Sequence, residues 1–190
     1  MNRKQTTDFL SKLLIKEKLS GIGKYYASEV VVDYGTSHPR RVDFMEYIPA
    51  GACYAGDIER GTFCCYEIKS CKEDVYSGNG LNFLGEENYL VTTAECYKSL
   101  MPDMQSGKLQ DHIDEMNGFK SYNGFLIAVP DLPRLERFNP SKAIIEELEN
   151  PHQIDGDVKN WRLAKLSQNY VNHRRRSTTE LLFCMVRSGR

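Results

Sequence analysis

The chain's most chemically suggestive stretch is Tyr66-Glu67-Ile68-Lys69-Ser70, where an acid and a base stand two residues apart. In an extended segment alternate side chains share a face, so Glu67 and Lys69 project together. Asp43 lies in the preceding strand-like run, Arg41-Val42-Asp43-Phe44-Met45. If the two runs pair, Asp43 and Glu67 converge, with the Ile68 carbonyl between Glu67 and Lys69. Two carboxylates and a carbonyl are hard oxygen donors, a set that suits Mg²⁺ or Mn²⁺ with waters and a phosphate oxygen completing the shell. A bound cation eases deprotonation of water, and a neighbouring ammonium stabilises the hydroxide and the charge that builds on phosphorus. The expected chemistry is metal-assisted phosphodiester hydrolysis. Asp43, Glu67 and Lys69 are its catalytic candidates; Asp43, Glu67, Ile68 and Glu17 are its metal-ligand candidates.

Glu17 enters because it falls seven residues after Leu10, on the apolar stripe of a helix. A lone charge is costly there, and a cation would offset its burial. An acid-x-lysine pattern by itself is ordinary on a half-exposed strand, where opposite charges are solvated. Asp43 and Glu17 are what raise it above that reading. Arg40 and Arg41 precede Asp43 closely and belong near any phosphate held there. Ser70 and Asp74 either orient the lysine or begin a short helix. Gly78-Asn79-Gly80 either brings backbone amides and Asn79 to a phosphate or makes a plain turn. Arg174, Arg175 and Arg176 form the densest basic run, a nucleic-acid contact or a solvated linker. The four histidines match no metal spacing.

These side chains need elements to hold them. A helix is expected from Thr6 or Thr7, carrying Leu10, Leu13 and Leu14 and closing at Ser20-Gly21-Ile22-Gly23. Three strands follow, at 28–34, 41–48 and 62–69, as an antiparallel meander with a loop over 49–61. Residues 71–87 read as a short helix plus loop, 88–93 as a strand, 94–101 as a helix and 123–130 as a strand apolar on both faces. Beyond these, 132–139 reads as loop, 140–149 as an acidic helix, and 159–172, with Trp161 and Tyr170, as a helix. Ser177-Thr178-Thr179-Glu180 has capping-box spacing ahead of a last helix ending near Gly189. The order implies an α/β (α+β) fold with a mixed central sheet. One domain spans 1–190, with a core over 1–130 and a helical C-terminal extension over 131–190.

Composition narrows the classes. Of 190 residues, 41% are hydrophobic and 27% charged, enough apolar material for a packed core. The net charge of -1 excludes a polybasic, histone-like chain but not a local basic patch. No apolar run reaches the ~20 residues of a bilayer span, and the charged N-terminus does not read as a signal peptide. A cytoplasmic protein is the expectation. Six cysteines without a C-x-x-C pair read as reduced, mostly buried thiols.

Asp43 followed by Glu67-x-Lys69, after a helix bearing Glu17, resembles the PD-(D/E)XK nuclease superfamily. The run from Arg41 through Tyr66-Glu67-Ile68-Lys69-Ser70 and Asp74 to Gly80-Leu81-Asn82-Phe83 and Asn88-Tyr89-Leu90-Val91 resembles, more narrowly, the MmcB-like DNA repair family and its phage-borne relatives. The resemblance covers roughly the first 130 residues. It implies a restriction-endonuclease-like αβββαβ core, dependence on a divalent metal and a DNA substrate in repair, recombination or mobile-element biology. It gives Asp43 and Glu67 the ligand roles and Lys69 the catalytic one. Glu17 matches the helical acid, with Glu29 as its rival, and Val42 stands where the family usually has proline. Two other readings remain: an inactive module of the same fold that binds nucleic acid or protein, and a phage-type accessory protein acting on a host protein. Oligomeric state is open, a homodimer included.

Overall fold

In the computed structural model, which describes residues 1–51, 54–131, 140–154, 156–166 and 171–188, six strands form one mixed sheet in the order β1-β2-β3-β4-β5-β6. The strands are β1 (Tyr25–Val32), β2 (Arg40–Ile48), β3 (Thr62–Ile68), β4 (Glu87–Thr93), β5 (Gly124–Pro130) and β6 (Trp161–Lys165). β1, β2 and β3 make the expected antiparallel meander; β4 runs parallel to β3, β5 parallel to β4, and β6 antiparallel to β5. The helices are α1 (Arg3–Leu14), α2 (Ala55–Glu59), α3 (Lys72–Val75), α4 (Ala94–Gln105), α5 (Lys108–Asn117), α6 (Pro140–Glu149) and α7 (Thr178–Ser188).

α1 starts earlier than its apolar spacing indicates, because Asn2 caps it. The Asn2 side chain accepts from the Gln5 N–H and the Gln5 side chain accepts from the Asn2 N–H, both at 2.9 Å, a reciprocal box that satisfies two otherwise orphaned donors. Phe9, Leu10, Leu13 and Leu14 bury one stripe against Phe44, Tyr66, Ile68, Val91 and Trp161 on one face of the sheet. On the other face α7 packs Leu181, Cys184 and Met185 on Val30, Val42, Met45 and Cys65, while α4 and α5 pack Leu100, Leu109 and Ile113 near Leu90 and Phe125. The strands are thus covered on both sides, which is why β5 is apolar throughout.

Three sequence expectations change. The segment read as a helix over 159–172 is, in its described part, a 3₁₀ turn (Val158–Asn160) and then β6. Trp-Arg-Leu-Ala-Lys is rich in helix formers, but pairing with β5 and burial of Trp161 against Phe9 (edge to face, 5.6 Å) override that local preference. The region 131–190 holds the expected helices α6 and α7, and between them it also supplies β6 to the sheet. α5 carries no sequence expectation, and α2 interrupts the loop expected over 49–61. Tyr170, the loop at 132–139, Cys53 and the helix end at Gly189 lie outside the described residues. The described cysteines are all free, and Cys64, Cys65, Cys96 and Cys184 are buried as expected. Among the described residues, no helix is long and apolar enough to cross a membrane.

Candidate active site

The site lies where β2 and β3 part. Their ladder ends at the pair Phe44–Tyr66. One step further, the Ile68 N–H donates to the Asp43 side chain, Oδ2, at 2.8 Å. On its other flank β3 stays tied to β4, with the Lys69 N–H donating to the Val91 carbonyl at 3.0 Å. The opening between β2 and β3 is occupied by the loop after α3. There the Asn82 side chain donates to the Arg41 carbonyl at 2.8 Å, and the Asn82 N–H donates to Glu67 Oε1 at 3.1 Å.

A slip in side-chain alternation turns Asp43 toward this opening. Ala27 and Val30, three residues apart, both face α7, and so do Met45 and Val42 on the neighbouring strand. Regular strands alternate with a period of two, so each loses step once between those positions. Glu29, with φ +55°, and Asp43 sit opposite one another at the slip. Both line a cavity of about 930 Å³, together with Arg3, Arg41, Ile68, Lys69, Asp74, Asn79, Gly80 and Asn82.

Glu67 lies one layer behind that cavity, fully buried. Its Oε1 is held by Asn82; its Oε2 has no hydrogen-bond partner. Lys69 is 5% exposed and donates to the Asn79 carbonyl at 2.6 Å, with Asp74 Oδ1 at 3.9 Å. Gly80 packs over both groups. A Cβ on it would meet Glu67 Oε2 at 2.8 Å and Lys69 Nζ at 3.0 Å, and its φ of +77° suits glycine. Burial pushes the Glu67 carboxyl well above its ordinary value; the Asp43 charge adds to this, and Lys69 opposes it. Burial also raises the Asp43 carboxyl, while the Ile68 N–H and Lys69 pull it down. Two acids and an ammonium therefore share one electrostatic environment, as the sequence spacing anticipates.

Glu17 is not brought to this group. The last turn of the N-terminal helix widens into a π-helical turn over Ile15–Leu19, which carries Glu17 off the buried stripe. It lies exposed beside Lys16 Nζ at 3.1 Å and does not line the cavity. Glu29, its rival, does line it and acts on the Asp43 charge, while pairing with Arg41 at 2.8 Å.

The basic candidates divide. Arg40 and Arg41 line the cavity, but Arg40 donates to Asp33 from Nε (3.1 Å) and Nη2 (3.0 Å). Asn79 is present through the carbonyl that holds Lys69. Ser70 is adjacent, its N–H and hydroxyl both donating to Asp74 Oδ2 at 3.2 Å. Arg174, Arg175 and Arg176 lie outside the cavity and fasten the chain instead. Arg174 reaches Glu86 and the Gly61 carbonyl, each at 3.1 Å, Arg175 stacks on Phe119, and Arg176 pairs with Asp33 (2.5 Å) and Glu180 (3.2 Å). Sequence reasoning missed Asn82 as a site residue, since an Asn in a loop carries no signal until the β2–β3 opening is seen.

Among the described residues, no group of three or more His, Cys, Asp or Glu side chains is set to hold a metal ion. A cation here would draw on Asp43, Glu67 and the Ile68 carbonyl, with water or substrate oxygens completing its shell, as Mg²⁺ commonly does. The unpartnered Glu67 Oε2 and the oxygen chemistry of this set fit such an ion. No protein-family model, curated protein or solved structure matches the chain.

Proposed function

We propose that the protein is a divalent-metal-dependent nuclease with a restriction-endonuclease-like core, hydrolysing phosphodiester bonds in DNA. The observation that carries this reading is the buried, unpartnered Glu67 Oε2, placed beside Lys69 and within the field of Asp43. A carboxyl buried in this way is costly as an anion, so it either keeps a proton or exchanges it for a cation. Asp43, Glu67 and the Ile68 carbonyl would hold Mg²⁺ or Mn²⁺. The ion would supply Lewis-acid polarisation of the phosphate and a more acidic water.

The chain's own groups provide the rest. Asn82 fixes the Glu67 carboxyl through Oε1, and the Ile68 N–H fixes Asp43. Lys69, held by the Asn79 carbonyl, presents a positive charge where negative charge accumulates on phosphorus. Arg3 and Arg41, whose side chains are 58% and 62% exposed, stand at the cavity to meet flanking phosphates.

The test is cleavage of single-stranded, duplex, nicked and flapped DNA with Mn²⁺, comparing the wild type with Asp43→Asn and Lys69→Met. Chelator-sensitive cleavage by the wild type, lowered at least ~100-fold in both variants, supports the reading. Equal residual cleavage in all three proteins overturns it. DNA binding without cleavage, and without stabilisation by Mn²⁺, would instead favour a binding module of the same fold.

A further inference from the structure

Lys69 Nζ is held by the Asn79 carbonyl from the turn after α3 and faces a carboxylate, Asp74 Oδ1, at 3.9 Å. Asp74 sits in α3, whose N-cap is Cys71 with no side-chain capping bond. The contact of Asp74 Oδ2 with Ser70 is local to that helix start, whereas the contact of Oδ1 with Arg3 reaches across to α1. Its Oδ2 accepts both the N–H and the hydroxyl of Ser70, the residue after Lys69, and its Oδ1 pairs with the Arg3 guanidinium of α1. The carboxylate is thus fixed from three sides, leaving Oδ1 toward the lysine. Burial pushes its carboxyl up, yet Arg3, the Ser70 N–H and Lys69 outweigh that and hold it below the usual range. Asp43 and Glu67 also act in this space and both feel Lys69, while Glu29 and Arg41 line the same cavity and act on Asp43.

We propose that Asp74 is a positioning residue for Lys69, locking the ammonium toward the cavity and tying that position to the docking of α1 through Arg3. This rests on the nuclease reading, in which Lys69 must sit within a fraction of an ångström of a productive place. Removing the Asp74 charge leaves Lys69 with the Asn79 carbonyl as its remaining fixed contact, so the ammonium wanders among neighbouring rotamers. The same change frees Arg3, so any effect on substrate binding is read in KM, apart from the effect on Lys69, which is read in kcat.

Asp74→Asn and Asp74→Glu should be compared with the wild type by steady-state cleavage in Mn²⁺ and by NMR of the lysine ammonium resonances. Asp74→Asn is expected to lower kcat by about tenfold or more, as misplacing a catalytic group does, while a change in KM alone would report only the release of Arg3. Asp74→Glu, which keeps the charge, should recover part of the loss. The Lys69 ammonium, assigned by its disappearance in Lys69→Met, should give a slowly exchanging signal in the wild type that is lost in Asp74→Asn. An Asp74→Asn protein with unchanged kcat, or with an unchanged Lys69 signal, overturns the proposal. If the wild type cleaves no DNA, the nuclease reading fails and the ammonium signal alone decides whether Asp74 holds the lysine.

Discussion

Glu67 carries the strongest single consequence. Its carboxyl is fully buried, Oε2 has no partner, and its pKa is raised by burial and by Asp43. A raised native pKa means that the folded metal-free protein keeps a proton the unfolded chain releases. The protonated form is therefore the comfortable one. Stability is full below the ordinary carboxylate value and falls as pH climbs through the raised native value. Glu67→Gln should remove this slope. Between pH 5 and pH 8.5 the metal-free wild type is expected to lose on the order of 2–4 kcal/mol that the Gln variant retains, measured by urea unfolding. Mn²⁺ should restore the wild type at pH 8.5 and leave Glu67→Gln unmoved. Gly80 gives a second prediction here. In Gly80→Ala the new methyl would press on Glu67 Oε2 and Lys69 Nζ from a left-handed backbone position. We expect a loss of ~1–2 kcal/mol in stability, with at least ~10-fold weaker Mn²⁺ stabilisation, read by thermal melts across a Mn²⁺ titration.

At the scale of elements, the site exists because β2 and β3 stop pairing at Phe44–Tyr66 and a loop moves in. Asn82 braces that opening, giving its N–H to Glu67 and its side chain to the Arg41 carbonyl. Asn82→Ala keeps the first contact and loses the second, leaving a partly buried carbonyl without this donor. The expected cost is ~1–3 kcal/mol, together with weaker Mn²⁺ stabilisation as the walls relax; unchanged Mn²⁺ stabilisation would mean that the opening is held by the sheet alone. The residues around the opening explain which parts of the sequence were legible. β2, β3 and the meander could be read because their apolar and β-branched residues repeat locally, and that placed Asp43, Glu67 and Lys69 together. Glu17 was misplaced because the seven-residue spacing assumes an α-helical turn, while the chain widens into a π turn at Ile15–Leu19. Glu29 was undervalued because its role depends on the slip at φ +55°, a backbone event that no side-chain pattern announces. The strand that carries Trp161 is hidden in the sequence, since β6 owes its form to β5 and α1 and not to its own helix-favouring residues.

The whole molecule is close to electroneutral, with a net charge of -1, and among the described residues many of its positive charges are paired within the fold. Arg40 and Arg176 converge on Asp33, and Arg174 clasps Glu86, whose other oxygen accepts the Phe63 N–H at 2.9 Å. Arg174 and Arg176 thereby tie the 171–177 segment to Asp33 and to the start of β3, and fasten the C-terminal part. Around the cavity, Arg3 and Arg41 remain the exposed guanidiniums, each beside an acid that a phosphate would have to displace. Two phosphate contacts correspond to a slope of about -2 in log affinity against log salt on duplex DNA, whereas recruitment of the 174–176 run would steepen it toward -4 or beyond. The discriminating measurement is a salt titration of DNA binding for the wild type and for the Arg174→Gln, Arg176→Gln double variant. The double variant should keep the shallow slope while its melting temperature drops by several degrees, because half-buried ion pairs with fixed partners are lost. A flatter slope with an unchanged melting temperature would instead make these arginines part of the DNA-binding face.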